Sequence, residues 1–235
     1  MRLAARGVAA TAKSMLPGPN PRRITILAGP GGNGGDGLYA GAFLAAEGYG
    51  VDAILVADTA HDPALQAFTA AGGTITKQPR VESTGLLIDA AAGLNSTRGL
   101  SGASLAAYRA AKQHDIPILS VDIPSGINAD TGVAADNAVA ATVTVSFGWA
   151  RAGHIFAPEC GTVVLCDLHL PHAPRSFAEE LTATAEPAGY IANEPTIDLP
   201  FQWPTEPVLA DAHLGHVTAR EEVMGLLRQL KLPLD

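Results

Sequence analysis

Residues 24–37 read ITILAGPGGNGGDG, an apolar, β-branched run followed by six glycines within nine residues. The run at residues 24–28 predicts a buried strand. Because glycine costs backbone entropy wherever it sits, so many together indicate a backbone that adopts positive φ or approaches a ligand closely. An Ala- and Leu-rich helix resumes at residues 38–46, which would place the loop amides at a helix N-terminus, where phosphate is favoured. The stretch predicts a strand, a loop and a helix that form a nucleotide site.

The glycine loop also fits a dinucleotide-binding fingerprint, G-x-G-x-x-G, formed by Gly29, Gly31 and Gly34 with Asp52 about twenty residues further on. In that fingerprint the acidic residue ends the second strand, whereas Asp52 lies near the start of its apolar run. A Walker phosphate loop is excluded, because no Gly-Lys-Ser/Thr closes the glycine run. A turn without a ligand is the remaining alternative. Since a carboxylate repels phosphate, we expect Asp36 to accept backbone N–H bonds or to contact a sugar hydroxyl.

Polar side chains follow three predicted strands. Asn33 and Asp36 lie in the glycine loop, Asp89 ends a short apolar run, and Asp122 ends another run just before a Pro-Ser-Gly turn. A single aspartate at a strand end is more often a cap or turn residue than a catalyst. The carboxyl ends of parallel strands, however, lie along one edge of a sheet. We therefore expect these four side chains to converge on one crevice.

Four segments together carry a resemblance to a known family. They are GPGGNGGDG from Gly29, LIDA with the downstream Arg98, VDIPSGINADTG from Val121, and TVTVSFG from Thr142. Over about residues 2–171 the chain resembles the NAD(P)H-hydrate epimerases. The resemblance implies an α/β fold, a Rossmann-like three-layer α/β/α sandwich with a mostly parallel sheet that forms homodimers. It also implies an isomerase that interconverts the R and S forms of hydrated NAD(P)H, so that a separate dehydratase can repair the S form.

Carried over position by position, the resemblance implies a potassium ion as cofactor, with Asn33, Asp89 and Ser125 as its ligands. Amide, carboxylate and seryl oxygens suit such a hard cation. Asp122 would contact the substrate and would be the catalytic group that donates and retakes a proton while the C6 hydroxyl leaves and returns, or while the ring opens and closes. The other substrate contacts implied by the resemblance are Gly32, Asn33, Gly34, Gly35, Asp36, Gly93, Leu94, Asn95, Ser96, Thr97 and Arg98.

The chain departs from the family pattern at three places. Gly32 replaces an asparagine, Ala92 begins a loop that usually reads F-G-T-G-L, and Arg151 provides the charge of a Pro-Lys-x-Gly segment. The implied potassium ligands and Asp122 are unchanged. Two alternatives therefore stay open: a non-catalytic nucleotide-binding or scaffold protein on the same fold, and a nicotinamide-dependent oxidoreductase, against which the placement of Asp52 speaks.

Composition favours a globular α/β protein. The chain has 235 residues, of which 47% are hydrophobic, and a net charge of −8, which argues against a nucleic-acid partner. No apolar run approaches ~18 residues, so we expect no membrane span. Cys160 and Cys166 flank a short apolar run and are expected to be buried, reduced thiols in a cytoplasmic protein.

Two segments are expected along the chain: residues 1–171 form the epimerase-like domain, and residues 172–235 form an acidic, Pro-rich extension. The extension ends in a short amphipathic helix after a capping box at residues 218–221. The N-terminus is basic like a transit peptide, but residues 1–15 are better explained as the first core helix. The two H-x-x-H pairs, at residues 169 and 172 and at residues 213 and 216, lack cysteine or acidic neighbours, so no zinc site is predicted.

Overall fold

The computed structural model describes residues 1–16, 23–78, 80, 83–94, 98–148, 150–166, 168, 189–190 and 212–214. One parallel sheet contains seven strands: β1 (Arg23–Ala28), β2 (Val51–Leu55), β3 (Thr74–Ile75), β4 (Thr84–Ala90), β5 (Ile118–Val121), β6 (Val143–Phe147) and β7 (Thr162–Cys166). Their order across the sheet is β3-β2-β1-β4-β5-β6-β7. The chain winds outward from β1 in one direction and from β4 in the other, so the switch point, where ligands bind in such sheets, lies between β1 and β4.

Helices cover both faces of the sheet. They are α1 (Arg2–Met15), α2 (Gly32–Ala46), α3 (Asp62–Ala70), α4 (Gly102–Gln113) and the short α5 (Ala152–Phe156). Because successive strand residues point to opposite faces, Ile24 and Ile26 join one buried cluster with α1, α2 and α3, whereas Leu27 and Leu87 join another with α4. The predicted three-layer α/β/α sandwich and the predicted N-terminal core helix are both confirmed.

Helix α2 begins at Gly32, six residues earlier than predicted. Two of its glycines explain why, since a Cβ atom on Gly37 would lie 2.5 Å from the Cβ of Ala90, and one on Gly41 would lie 2.6 Å from Ile26 Cδ1. The glycines therefore let the helix approach the sheet closely, and this packing outweighs their low helix propensity. The prediction of a long loop was wrong here, and Asn33 and Asp36 lie on the first turns of a helix.

Whereas the glycine segment follows the carboxyl end of β1, Asp52 forms an ion pair near the amino ends of the strands. It is completely buried near the start of β2 and accepts hydrogen bonds from Arg23 Nε at 2.8 Å and from Arg23 Nη2 at 2.5 Å. Arg23 is the first residue of β1, so this bidentate ion pair lies at the amino ends of the strands. Asp52 is therefore not placed to contact a ribose at the carboxyl edge, which removes the support for a dinucleotide fingerprint.

Cys160 and Cys166 are both free and buried, and burial raises the pKa of each thiol to about 12. The prediction of buried, reduced thiols is confirmed. In the part of the chain that the structure describes, no helix is long and apolar enough to cross a membrane.

The C-terminal segment is described at two places beyond Leu168, where β8 (Gly189–Tyr190) and β9 (Ala212–Leu214) pair in parallel. The boundary at residues 171 and 172 and the helix predicted after residue 218 lie outside the described residues. So do three of the four histidines of the H-x-x-H pairs. The predictions for this segment stay predictions.

Candidate functional site

A cavity of about 470 Å³ opens at the carboxyl edge of the sheet, beside the switch point between β1 and β4. A cavity of this size falls within the range of small-molecule sites. The segments that follow β1, β4 and β5 all contribute to its wall, together with the last residue of β6. The lining residues are Gly31, Gly32, Asn33, Gly34, Asp36, Ala91, Gly93, Leu94, Asp122 and Phe147.

Most of the residues singled out in the sequence therefore meet at one place. Asp89 and Ser125 lie buried beside the cavity and are connected to its wall by hydrogen bonds. Gly35 and Arg98 are described but do not line the cavity. The remaining predicted substrate contacts, residues 95–97, lie outside the described residues.

Asp89 is completely buried, and its carboxylate joins β4 to the turn after β5. It accepts hydrogen bonds from the Ser125 N–H at 2.8 Å, the Ser125 hydroxyl at 2.6 Å, the Ser120 hydroxyl at 3.0 Å and the Ala91 N–H at 3.3 Å. Burial raises the pKa of Asp89 above its ordinary value, and these hydrogen bonds lower it in part. The carboxyl group therefore holds two of the wall segments in a fixed relation.

A chain of hydrogen bonds continues from Asp89 to Asn33. The Ser125 hydroxyl that donates to Asp89 also accepts the Ala92 N–H at 3.0 Å, and the Ala92 carbonyl accepts a hydrogen bond from Asn33 Nδ2 at 2.6 Å. The three residues implied as potassium ligands are thus neighbours in one network. Their donor set is an amide, a carboxylate and a hydroxyl, which suits a hard monovalent cation. Among the described residues no group of three or more His, Cys, Asp or Glu could hold a metal ion.

Asp122 follows β5 in a backbone conformation that is uncommon for a side-chain-bearing residue, with a φ of 66°. Its N–H donates to the Val145 carbonyl at 2.7 Å, and its carboxylate accepts the Ser146 hydroxyl at 3.2 Å. Burial raises the pKa of Asp122, while the Ser146 hydrogen bond and the charge of Arg151 lower it in part. The result is a cavity-facing carboxyl whose proton affinity exceeds that of an ordinary aspartate.

His154 holds the backbone of Asp122 through a hydrogen bond, and this role was not predicted from the sequence. Its Nδ1 accepts the Arg151 N–H at 2.8 Å, so its ring proton resides on Nε2, which donates to the Asp122 carbonyl oxygen at 2.6 Å. Burial lowers the pKa of His154 to about 4, so the imidazole is neutral at neutral pH. No motif marks this histidine, because it acts on the backbone of a residue 32 positions away.

Asp36 faces the same cavity as Asp122, but its surroundings differ. Its Oδ1 is buried and has no hydrogen-bond partner among the described residues. Burial raises its pKa to about 7; the positive N-terminal amine opposes this rise, and the negative charge of Asp122 adds to it. The expected backbone N–H bonds to this oxygen are missing, because Asp36 lies within α2, where backbone N–H groups bond to carbonyls one turn back.

The residues around the cavity give little support to the alternative function, a nicotinamide-dependent oxidoreductase. A Tyr-x-x-x-Lys spacing, which some nicotinamide-dependent oxidoreductases use, occurs at Tyr108 and Lys112 in α4. The Tyr108 hydroxyl accepts the Ala140 N–H at 3.0 Å, and neither residue lines the cavity. Together with the structural use of Asp52, this argues against hydride transfer at the site.

The fold and site define a doubly wound α/β protein with a polar, carboxyl-bearing cavity at its switch point. Within that class, the chain belongs to the family described as YjeF-related protein N-terminus, whose model matches residues 1–153. The NAD(P)H-hydrate epimerase of Microbacterium testaceum is 36% identical over 197 residues, covering 79% of this chain and 77% of the relative.

Other relatives are longer than this chain. The bifunctional NAD(P)H-hydrate repair enzyme Nnr of Corynebacterium glutamicum is 35% identical over 195 residues, covering 71% of this chain and 34% of the relative. The chain thus spans about a third of the length of such bifunctional relatives. The crystal structure of yeast ynu0 has a TM-score of 0.59 at 21% identity and covers 69% of this chain and 75% of the yeast chain, which shows the shared fold.

Proposed function

We propose that the protein is an NAD(P)H-hydrate epimerase, an isomerase that interconverts the R and S forms of hydrated NAD(P)H. The observation that carries the proposal is the carboxyl group of Asp122, which faces the cavity with a raised pKa in a family that contains relatives named as epimerases. A cavity at the switch point of a doubly wound sheet is where such folds bind nucleotides. The same position supports a nucleotide-binding role for this chain.

The proposed chemistry requires little beyond proton transfer. C6 of the hydrate carries a hydroxyl next to the ring nitrogen, so this hydroxyl can leave once it is protonated and can return to the other face of the ring. A carboxyl group positioned to give a proton to this hydroxyl and to take it back typically contributes ~10²–10⁴-fold. Asp122 is the proposed catalytic residue, with Ser146 and His154 fixing its carboxylate and its backbone.

We further propose that Asn33, Asp89 and Ser125 hold a potassium ion beside the substrate. Their mutual hydrogen-bond network and their oxygen donors support this proposal. The bound ion would supply a positive charge that offsets the buried charge of Asp89. Because Asp89 already accepts four hydrogen bonds, the Ser125 hydroxyl hydrogen would have to turn away when Asp89 ligates a cation.

The wider role of the protein is also part of the proposal. Relatives named as bifunctional NAD(P)H-hydrate repair enzymes support functional coupling to a dehydratase that acts on the S form. The family resemblance supports a homodimer. The two buried, reduced thiols support a cytoplasmic location.

Incubation with R-NADHX, with the S form measured through a coupled, S-specific dehydratase, tests the function. We expect conversion by the wild type, and we expect Asp122→Asn to reduce its rate by at least ~10²-fold while the melting temperature stays near that of the wild type. Binding of the hydrate without conversion by the wild type would indicate the non-catalytic alternative. Equal rates in the wild type and the variant would refute the assignment of Asp122.

A further inference from the structure

We propose that Asp36 is a second catalytic residue, which transfers protons at the face of the substrate ring opposite to Asp122, so that the two carboxyl groups act as a pair. This inference rests on the proposed epimerase function. It assigns to Asp36 a chemical role that goes beyond substrate contact.

The placement of the two carboxyl groups carries the first part of the argument. Asp36 belongs to α2, which follows β1, and Asp122 directly follows β5; these two strands flank β4. At the usual strand spacing, β1 and β5 are roughly 10 Å apart. Both side chains line the same cavity. They therefore enter the cavity from two different wall segments, one on α2 and one after β5.

Two carboxyl groups that act from opposite sides of a reacting centre serve a related kind of chemistry. Inverting glycosidases place two carboxyl groups roughly 6.5–9.5 Å apart, so that one protonates the leaving oxygen while the other activates water on the opposite face of the sugar. Inversion at C6 of hydrated NAD(P)H also requires proton transfer at both faces of the ring, because one oxygen leaves from one face and another is added at the other. A pair of carboxyl groups meets this requirement with one group at each face.

The surroundings of Asp36 carry the second part of the argument. Among the described residues, its Oδ1 is the buried side-chain oxygen or nitrogen atom that has no hydrogen-bond partner. Buried polar atoms are nearly always paired, so such an exception calls for an explanation, and a catalytic role is one. Helix α2 is pressed against the sheet at Gly37, so the position of Asp36 is set by packing. We therefore infer that Asp36 Oδ1 forms a hydrogen bond with a polar group of the bound ligand.

The two carboxyl groups also differ in a way that assigns their starting protonation. Asp122 has the Ser146 hydroxyl and the charge of Arg151 to stabilise its anion. The charged groups acting on Asp36 are the N-terminal amine and Asp122 itself, and burial raises the pKa of Asp36 to about 7. Two carboxyl groups that face one cavity resist joint ionisation. Asp36, whose Oδ1 has no partner among the described residues, is therefore the proposed starting acid, and Asp122, whose anion accepts the Ser146 hydroxyl, is the proposed starting base.

The proposed reaction balances in atoms and charge. Asp36 donates its proton to the C6 hydroxyl, the C6–O bond breaks, and water leaves as the lone pair of the ring nitrogen forms the C6=N iminium bond. A second water attacks C6 from the opposite face, the electron pair returns to the nitrogen, and Asp122 accepts the proton of that water. One water has left, one has been added, and one proton has moved from Asp36 to Asp122. The reverse reaction starts from this second state.

Oxygen exchange gives a sharp test. In H₂¹⁸O the wild type should incorporate ¹⁸O into both epimers during epimerisation. In Asp36→Asn the face served by Asp122 remains active, so one epimer should exchange its C6 oxygen without being inverted. In Asp122→Asn the other epimer should exchange. Each variant should epimerise at least ~10²-fold more slowly than the wild type, and Asp58→Asn, an exposed aspartate outside the cavity, should match the wild type.

Each outcome separates this inference from the proposed function. No conversion by the wild type refutes the epimerase itself. Epimerisation by the wild type without ¹⁸O incorporation refutes the two-face mechanism and indicates ring opening. Wild-type epimerisation rates in Asp36→Asn refute the role of Asp36, whereas loss of exchange in both epimers shows that Asp36 is needed for binding or folding and likewise overturns the pair. A melting curve of each variant at neutral pH separates binding from folding.

Discussion

His154 ties α5 to the backbone of Asp122, and replacing it tests whether that contact positions the proposed catalytic carboxyl. His154→Phe keeps an aromatic ring of similar volume but removes both hydrogen bonds, the one to the Asp122 carbonyl and the one from the Arg151 N–H. His154→Gln is the matched control, because its amide N–H can replace the Nε2–H that donates to Asp122.

The magnitude follows from the groups left without partners. Both hydrogen bonds are partly buried, and the loss of such a bond costs about 0.5–1.5 kcal/mol. The Phe variant should therefore lose about 1–3 kcal/mol of unfolding free energy near neutral pH, and the Gln variant about half as much. A φ of 66° at Asp122 is itself unfavourable, at about 1–3 kcal/mol for such a residue. Without His154 we expect this backbone to relax and to turn the carboxyl away from the cavity.

The pH dependence provides an independent measure of the same contact. Burial lowers the pKa of His154 from 6.5 to about 4, so between those pH values the unfolded chain binds a proton that the folded chain excludes. The stabilisation from the neutral ring is complete above pH 6.5 and is lost as the pH falls to 4, a change of about 3 kcal/mol. The difference in unfolding free energy between wild type and His154→Phe should shrink by about that amount from about pH 7.5 to pH 4.

Urea unfolding across this pH range and steady-state epimerisation kinetics measure both effects. We expect kcat to fall in His154→Phe with a small change in KM, and we expect His154→Gln to recover much of the lost kcat. If the Phe variant lost stability as calculated but kept the wild-type kcat, His154 would be a structural residue only, and the positioning argument would be refuted.

Three further predictions concern the scaffold and the cation. Asp52→Asn should cost about 1–3 kcal/mol of unfolding free energy, because the amide removes one of the two acceptors that the buried carboxylate offers to the partly exposed Arg23 guanidinium; an unchanged unfolding free energy in urea titrations would contradict this. Gly37→Ala should lower stability by about 1–3 kcal/mol through overpacking, whereas Gly32→Ala, at the first residue of α2 with open space at its Cβ position, should change it far less; equal losses would refute the packing argument. The melting temperature should be higher in potassium than in tetramethylammonium, and Asn33→Ala should abolish that difference; a shift that persists in the variant would exclude Asn33 as a ligand.

The architecture was predictable because its signals are local. Periodicity marks strands such as β1 and β4, and the rule that parallel strands end at one edge predicts that Asn33, Asp36 and Asp122 meet. The start of α2 was not predictable from propensity, since the close approach of Gly37 to Ala90 is a tertiary effect. The expectation that Asp36 accepts backbone N–H bonds was wrong for the same reason, because Asp36 lies within the helix, whereas its alternative, contact with a sugar hydroxyl, stays a prediction.

The network around Ala92 has a consequence for which sequences this site can accept. Ala92 takes part through its backbone alone, its N–H bonding to Ser125 and its carbonyl to Asn33. The family pattern that the chain resembles has a phenylalanine at this position, and the two side chains share almost no chemistry. Since neither hydrogen bond involves the side chain of residue 92, that side chain can vary while both hydrogen bonds are kept. A substitution at residue 92 can therefore change the side chain next to the cavity wall while Asn33 and Ser125 keep their hydrogen bonds to its backbone.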